Sequence, residues 1–79
     1  MIIRFIDQQQ QPMLGAVVSI AQAPGTIQDI GMITDNNGTV SIDVTEPGDY
    51  VFSVFYNGQK YQVSSTLKPQ NQDISIVVG

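Results

Sequence analysis

The residues in this chain that could do chemistry are acids and amides gathered around glycines. Asp35-Asn36-Asn37-Gly38 offers hard oxygen ligands of the kind that hold calcium. Glu46 stands directly before the turn-forming run Pro47-Gly48-Asp49-Tyr50. Hydrolysis by paired carboxylates needs two acids converging in one cleft. Here Asp7, Asp29, Asp35, Asp43, Glu46, Asp49 and Asp73 fall mostly at turns and strand ends, where turn formation and solubility account for them. The Asp35 segment also lacks the ligand spacing and the distal bidentate glutamate of an EF-hand, and a hairpin turn explains each of its residues. Cysteine and histidine are absent, which removes disulfides and thiolate metal sites. No catalytic residue, metal site or cofactor is therefore predicted, and the chain reads as a non-enzyme.

Composition narrows the partners. With 79 residues there is room for one domain spanning 1–79, near the size at which a single core only just offsets conformational entropy. Such a domain suits a module of a larger protein or a subunit of an assembly. The net charge is -4, and the three basic residues, Arg4, Lys60 and Lys68, are too few and too scattered for phosphate neutralisation. Nucleic acid and anionic membrane surfaces are thus not predicted as partners. The start Met1-Ile2-Ile3-Arg4-Phe5-Ile6-Asp7 has too short an apolar run, and places its charge too late, for a signal peptide. No apolar stretch approaches the length of a membrane span, so membrane insertion is not predicted. An extracellular or secretion-machine location would have to come through a parent protein or a partner.

The elements that would position these residues are all strands. Residues 1–7 are β-branched and aromatic enough for a first strand. The Gln8–Gln11 run ending in Pro12 is a polar connection. Leu14–Ile20 reads as a second strand with Ala16, Val18 and Ile20 on one face, and its small first residues would let another backbone approach closely. Ala23-Pro24-Gly25-Thr26 is a turn signal that leads into the irregular Ile27-Gln28-Asp29. A short third strand follows over Ile30–Thr34, weakened by Gly31, with its inward parity open.

The Asp35–Gly38 segment predicts a hairpin built on a type I turn plus bulge. The next strand alternates cleanly, with Val40, Ile42 and Val44 inward. Glu46-Pro47-Gly48-Asp49 fits a type II turn. Tyr50–Tyr56 and Gln59–Leu67 form strands five and six around Asn57-Gly58, the tightest hairpin signal in the chain. Lys68–Gln72 is a polar loop, and Asp73–Val78 is a last strand with Ile74, Ile76 and Val78 inward.

Seven short strands without a helical period predict an all-β, seven-stranded antiparallel Greek-key sandwich. Its predicted core comprises Ile3, Phe5, Ala16, Val18, Ile20, Val40, Ile42, Val44, Tyr50, Phe52, Val54, Tyr61, Val63, Ile74 and Ile76.

Three motifs in order carry a family resemblance: Gln11-Pro12-Met13-Leu14-Gly15-Ala16-Val17-Val18, then Thr34-Asp35-Asn36-Asn37-Gly38, then Glu46-Pro47-Gly48-Asp49-Tyr50. Together they resemble the prealbumin-like (transthyretin-like) superfamily, whose carboxypeptidase-regulatory-like and collagen-adhesin B-type repeats carry such a start, hairpin and turn. The resemblance covers nearly the whole chain and implies a fold rather than one function, because members serve as accessory domains, stalk repeats, docking domains and extensions on secretion spikes. Adhesin repeats often carry a Lys-Asn isopeptide bond assisted by an acid, a place that Glu46 would fit. The first strand, however, has Arg4 where that lysine is needed, and the bond is not expected. The hydroxyisourate hydrolases of the superfamily use histidines and a characteristic C-terminal tail; this chain has no histidine and ends in Ile76-Val77-Val78-Gly79.

Binding is the remaining class. If Tyr50, Phe52, Val54 and Tyr56 face inward, then Val51, Ser53 and Phe55 face outward, leaving Val51 and Phe55 as an apolar pair on one sheet surface and the predicted partner contact. A loop such as Thr26–Asp29 lying over the pair would be the purely structural account of it. Exposed strand edges are a second route, by strand addition. The favoured function is a protein-interaction or assembly module, with another protein or a second copy as partner. A carbohydrate-binding accessory domain is the alternative, disfavoured by the absence of Trp and by the inward placement of most Tyr and Phe residues. A passive spacer repeat of a surface protein is a third reading.

Overall fold

A computed structural model describes residues 1–24, 31–69 and 73–79. The described residues form seven strands and no helix: β1 (Ile2–Ile6), β2 (Val17–Gln22), β3 (Met32–Ile33), β4 (Thr39–Ser41), β5 (Gly48–Tyr56), β6 (Gln59–Leu67) and β7 (Asp73–Val77). They assemble into a three-stranded sheet of order β4-β1-β7 and a four-stranded sheet of order β3-β2-β5-β6. The two sheets share one core, to which β1, β2, β4, β5, β6 and β7 all contribute. The architecture is thus an all-β sandwich, as the alternating runs predict.

The pairing is not wholly antiparallel, which corrects the sequence expectation. β1 and β7 run parallel, from Ile2 opposite Asp73 to Ile6 opposite Val77, while the other ladders are antiparallel. A parallel pair needs a long crossover, and the whole intervening chain supplies one because these are the first and last strands. Turn chemistry constrains only neighbouring strands and so carried no information about this pair.

Two turns also do different work from that predicted. The Asp35–Gly38 turn has the expected local geometry: Gly38 N–H donates to the Asp35 carbonyl at 2.9 Å, and Gly38 has φ 73°. It does not close a hairpin within one sheet, since β3 pairs with β2 and β4 pairs with β1. The turn instead carries the chain from one sheet to the other. The type II turn at Glu46–Asp49 is not formed, because Gly48, with φ 148°, is already the first residue of β5 and lies opposite Leu67. A Cβ at Gly48 would come within 2.9 Å of the Pro24 ring, so packing against Pro24 holds this backbone where it is. Tyr50 anchors the bend from the other side, its hydroxyl donating to the Glu46 carbonyl at 2.8 Å. Asn57-Gly58, by contrast, forms the predicted two-residue turn, with φ of 56° and 80°.

The core follows the alternation closely. Phe5 and Phe52, both fully buried, meet edge-to-face with ring centroids 5.8 Å apart, and Tyr50 stacks on Phe52 at 6.5 Å. β4 ends at Ser41, earlier than predicted, yet Ile42 and Val44 remain buried. Tyr61, Val63 and Ile74 are half-buried rather than buried, and Met13, Leu67 and Val78 join the core in addition to the predicted core residues.

Met13 is drawn in by a polar clasp. The buried Thr34 hydroxyl donates to the Met13 carbonyl and accepts the Ala16 N–H at 2.8 Å, while Thr34 N–H donates to the Ala16 carbonyl at 2.9 Å. The close backbone approach expected at Gly15-Ala16 is made here, by Thr34. No buried side-chain polar atom among the described residues lacks a partner, so the clasp buries the Thr34 hydroxyl without leaving it unsatisfied.

Candidate functional site

The acids first read as ligand candidates are built into turns. One carboxylate oxygen of Asp35 accepts the backbone N–H groups of Asn37 and Thr39, at 2.9 and 3.0 Å. The Thr39 hydroxyl lies within hydrogen-bond distance of both Asp35 oxygens, at 2.9 and 2.8 Å. The Thr39 N–H, then its hydroxyl and the Asn37 N–H, hold the Asp35 carboxyl below its ordinary pKa. Asp7 repeats the design: a single oxygen accepts the N–H groups of Gln9 and Gln11, each at 2.9 Å, and organises the polar connection after β1. Asp49 accepts the Thr66 hydroxyl at 2.7 Å across the β5–β6 ladder. Arg4 is exposed on β1, and Glu46 is exposed before the Gly48 bend. Among the described residues no group of three or more Asp, Glu, His or Cys is arranged to hold a metal ion, and no helix is long and apolar enough to cross a membrane.

The outer face of the four-stranded sheet is more distinctive. Phe55 points outward from β5 and is 52% exposed. Its cross-strand partner on β2 is Val17, 43% exposed, and the partner of Val17 on the edge strand β3 is Ile33, 71% exposed. Ile33, Val17 and Phe55 therefore form one unbroken apolar row across three strands, continued by Lys60 on β6. Directly opposed side chains are each other's nearest neighbours on a sheet face, so the three present one patch. The next outward row, Ser19, Ser53 and Gln62, is polar and bounds it.

Val51 also lies on β5 but is half-buried. Phe55 lies four positions further along the strand, about 14 Å away at roughly 3.4 Å per residue. Val51 lines a groove with Gln22, Ala23, Pro24, Asp49 and Ser64, where β2 is irregular between Ile20 and Gln22. The two predicted contact residues thus belong to different surface features: Phe55 to the apolar row, Val51 to the groove. Thr26–Asp29, the loop considered as a cover for them, lies outside the described residues.

Sequence reasoning missed Val17 and Ile33. Val17 sits on the outward parity of the predicted second strand, but outward parity alone does not say which residue of another strand it meets. The parity of Ile33 was open, and its register with Val17 fixes it. Comparison with protein-family models and with curated proteins gave no match.

Proposed function

We propose that this protein is a non-catalytic interaction or assembly module that uses the outer face of its four-stranded sheet to contact another protein or a second copy. The observation that carries this reading is the row Ile33–Val17–Phe55, three large apolar side chains in direct register and exposed together. Contiguous exposed apolar groups rimmed by polar ones are the usual mark of a protein contact, and an exposed aromatic such as Phe55 is a typical anchor within one. The acids support the same reading, because those at the turns serve backbone groups. A glycan platform would need several exposed aromatics; here Tyr50, Phe52 and Phe5 are buried, while Tyr56 and Tyr61 are half-buried.

We further propose that the sandwich is of the Greek-key, prealbumin-like type. Seven strands in sheets of three and four, and the placement of the Gln11–Val18, Thr34–Gly38 and Glu46–Tyr50 motifs where β1 gives way to β2, β3 to β4 and β4 to β5, support this assignment.

Phe55→Ser tests the functional reading. The variant is expected to keep the wild-type thermal transition, since Phe55 is outside the core, and to lose capture of the protein retained stoichiometrically by the wild-type chain. Equal capture by both chains, or hits on a glycan array with no captured protein, would overturn it.

A further inference from the structure

We infer that the outer face of the four-stranded sheet packs on the same face of a second copy, with Phe55 of each copy seated in the Val51 groove of the other. This rests on the face contact proposed above and commits it to one partner.

Knob and socket lie on the same face. The outward side chains of β5 are, in order, Asp49, Val51, Ser53 and Phe55. Followed across the ladders they give the rows Asp49–Thr66, Gln22–Val51–Ser64, Ser19–Ser53–Gln62 and Ile33–Val17–Phe55–Lys60. The groove opens on the Gln22–Val51–Ser64 row, with Ala23 and Pro24 as its apolar wall and a volume of about 700 Å³. That is ample for an aromatic ring. Phe55 is held about 14 Å from the groove of its own molecule, so a second molecule has to bring the two together.

A twofold axis lying in the interface along the serine row, at right angles to the strands, does this. It runs β5 antiparallel over β5 of the second copy and exchanges the rows on either side, so that every contact occurs twice. Phe55 comes over Val51 of the second copy, and Val17 comes over Gln22 beside Ala23. Ser19 and Ser53 meet their own counterparts at the axis, where their small side chains let the faces close to the roughly 10 Å of packed sheets.

The charges agree with that axis. The outward positions of these strands carry one base, Lys60, and one acid, Asp49, so the face is neutral although the chain has a net charge of -4. Lys60 falls over Ser64 of the second copy, whose diagonal neighbour is Asp49, roughly 7–8 Å away. An extended lysine side chain spans that offset. The Thr66 hydroxyl, donating at 2.7 Å, already fixes the Asp49 carboxylate that would receive it. A twofold axis along the strands would instead lay the apolar row on itself, leave the groove open and gather both Asp49 carboxylates at one end, which is unfavourable. The Cα frame measures 30 × 21 × 18 Å, and covering one broad face of it buries an area of the order of the ~800 Å² per partner that specific contacts use.

Sedimentation equilibrium on the full chain tests the inference. The wild type is expected to dimerise, and Phe55→Ser to be monomeric. Ser64→Trp, which fills the groove from an exposed position without touching the apolar row, is expected to give a monomer with an unchanged thermal transition. Lys60→Glu and Asp49→Lys are each expected to weaken the dimer about tenfold, and the double reversal to return it to within about threefold of wild type. A dimer that survives Ser64→Trp, or a double reversal no tighter than either single change, would overturn the inference. So would a wild-type monomer; if Phe55→Ser then still loses capture of a different protein, the face contact stands and only its assignment to a second copy falls.

Discussion

Gly38→Ala examines the junction between the two sheets in isolation. Gly38 has φ 73°, and a Cβ built there would lie 2.7 Å from the Phe5 carbonyl oxygen, 2.9 Å from the Met13 nitrogen and 3.2 Å from the Pro12 Cβ. The first two are backbone atoms engaged with each other, since Met13 N–H donates to the Phe5 carbonyl at 3.0 Å, while Phe5 N–H donates to the Gly38 carbonyl at 2.8 Å. The left-handed backbone costs an alanine about 1–2 kcal/mol. Relieving the contact must separate Gly38 from β1 and so weaken both hydrogen bonds, at about 1 kcal/mol each. The expected loss is about 3–4 kcal/mol. A domain of this length has roughly 4–12 kcal/mol in all, so the variant should be close to unfolding. Gly15→Ala supplies the control: φ there is 76°, nearly the same, but a Cβ would meet nothing within 4 Å. It should lose only the conformational part, about 1–2 kcal/mol. Urea unfolding of the two variants at one temperature gives the difference directly. Equal losses would refute the claim that contact with β1, rather than backbone conformation, fixes glycine at position 38.

Two further outcomes are expected. Phe52→Ala removes a ring in contact with both Phe5 and Tyr50, and should cost about 3–5 kcal/mol by thermal or urea unfolding; a transition near the wild-type temperature would place Phe52 outside the core. For Asp35 the folded-state pKa is lowered, so its contribution to stability is complete above the ordinary carboxyl value of about 4. That contribution disappears as the pH falls through the folded-state value. Asp35→Asn should therefore be less stable than wild type near neutrality and converge with it in acid, as followed by melting temperature against pH; a constant gap across the acid range would contradict the assigned hydrogen bonds.

Alternation made most of the core legible. In β5 every second residue from Tyr50 to Val54 is buried, and the same parity holds in β1 and β2, because a strand buried on one face has only one register that works. The same logic overstated Tyr61, Val63 and Ile74. Their parity is inward, yet an inward side chain on an edge strand has a neighbour on one side only, and strand order is not a local property. Met13 was missed for the complementary reason: it lies outside any strand and is held in place by Thr34, twenty-one positions away. The parallel β1–β7 pair and the sheet-crossing role of the Asp35 turn have the same origin. Turn residues prescribe a local bend, and what the chain meets after the bend is decided by which apolar faces must be covered.

The candidate surface divides along the same line. That Phe55 faces outward follows from two-residue periodicity around the buried Phe52 and Val54, so it was readable from composition and order alone. Val51 shares that parity and was paired with Phe55 on that basis, but parity does not distinguish neighbours from residues at opposite ends of a strand. Cross-strand register supplies what parity lacks. It separates Val51, in the groove by Pro24, from Phe55, and brings Val17 and Ile33 to Phe55 from positions 38 and 22 residues earlier in the chain. Because register passes from Ile33 to Val17 to Phe55 through two ladders, a substitution that shifted β2 by one residue would turn Val17 inward and divide the patch without touching Phe55. The row therefore depends on the irregularity between Ile20 and Gln22 ending where it does, short of Val17.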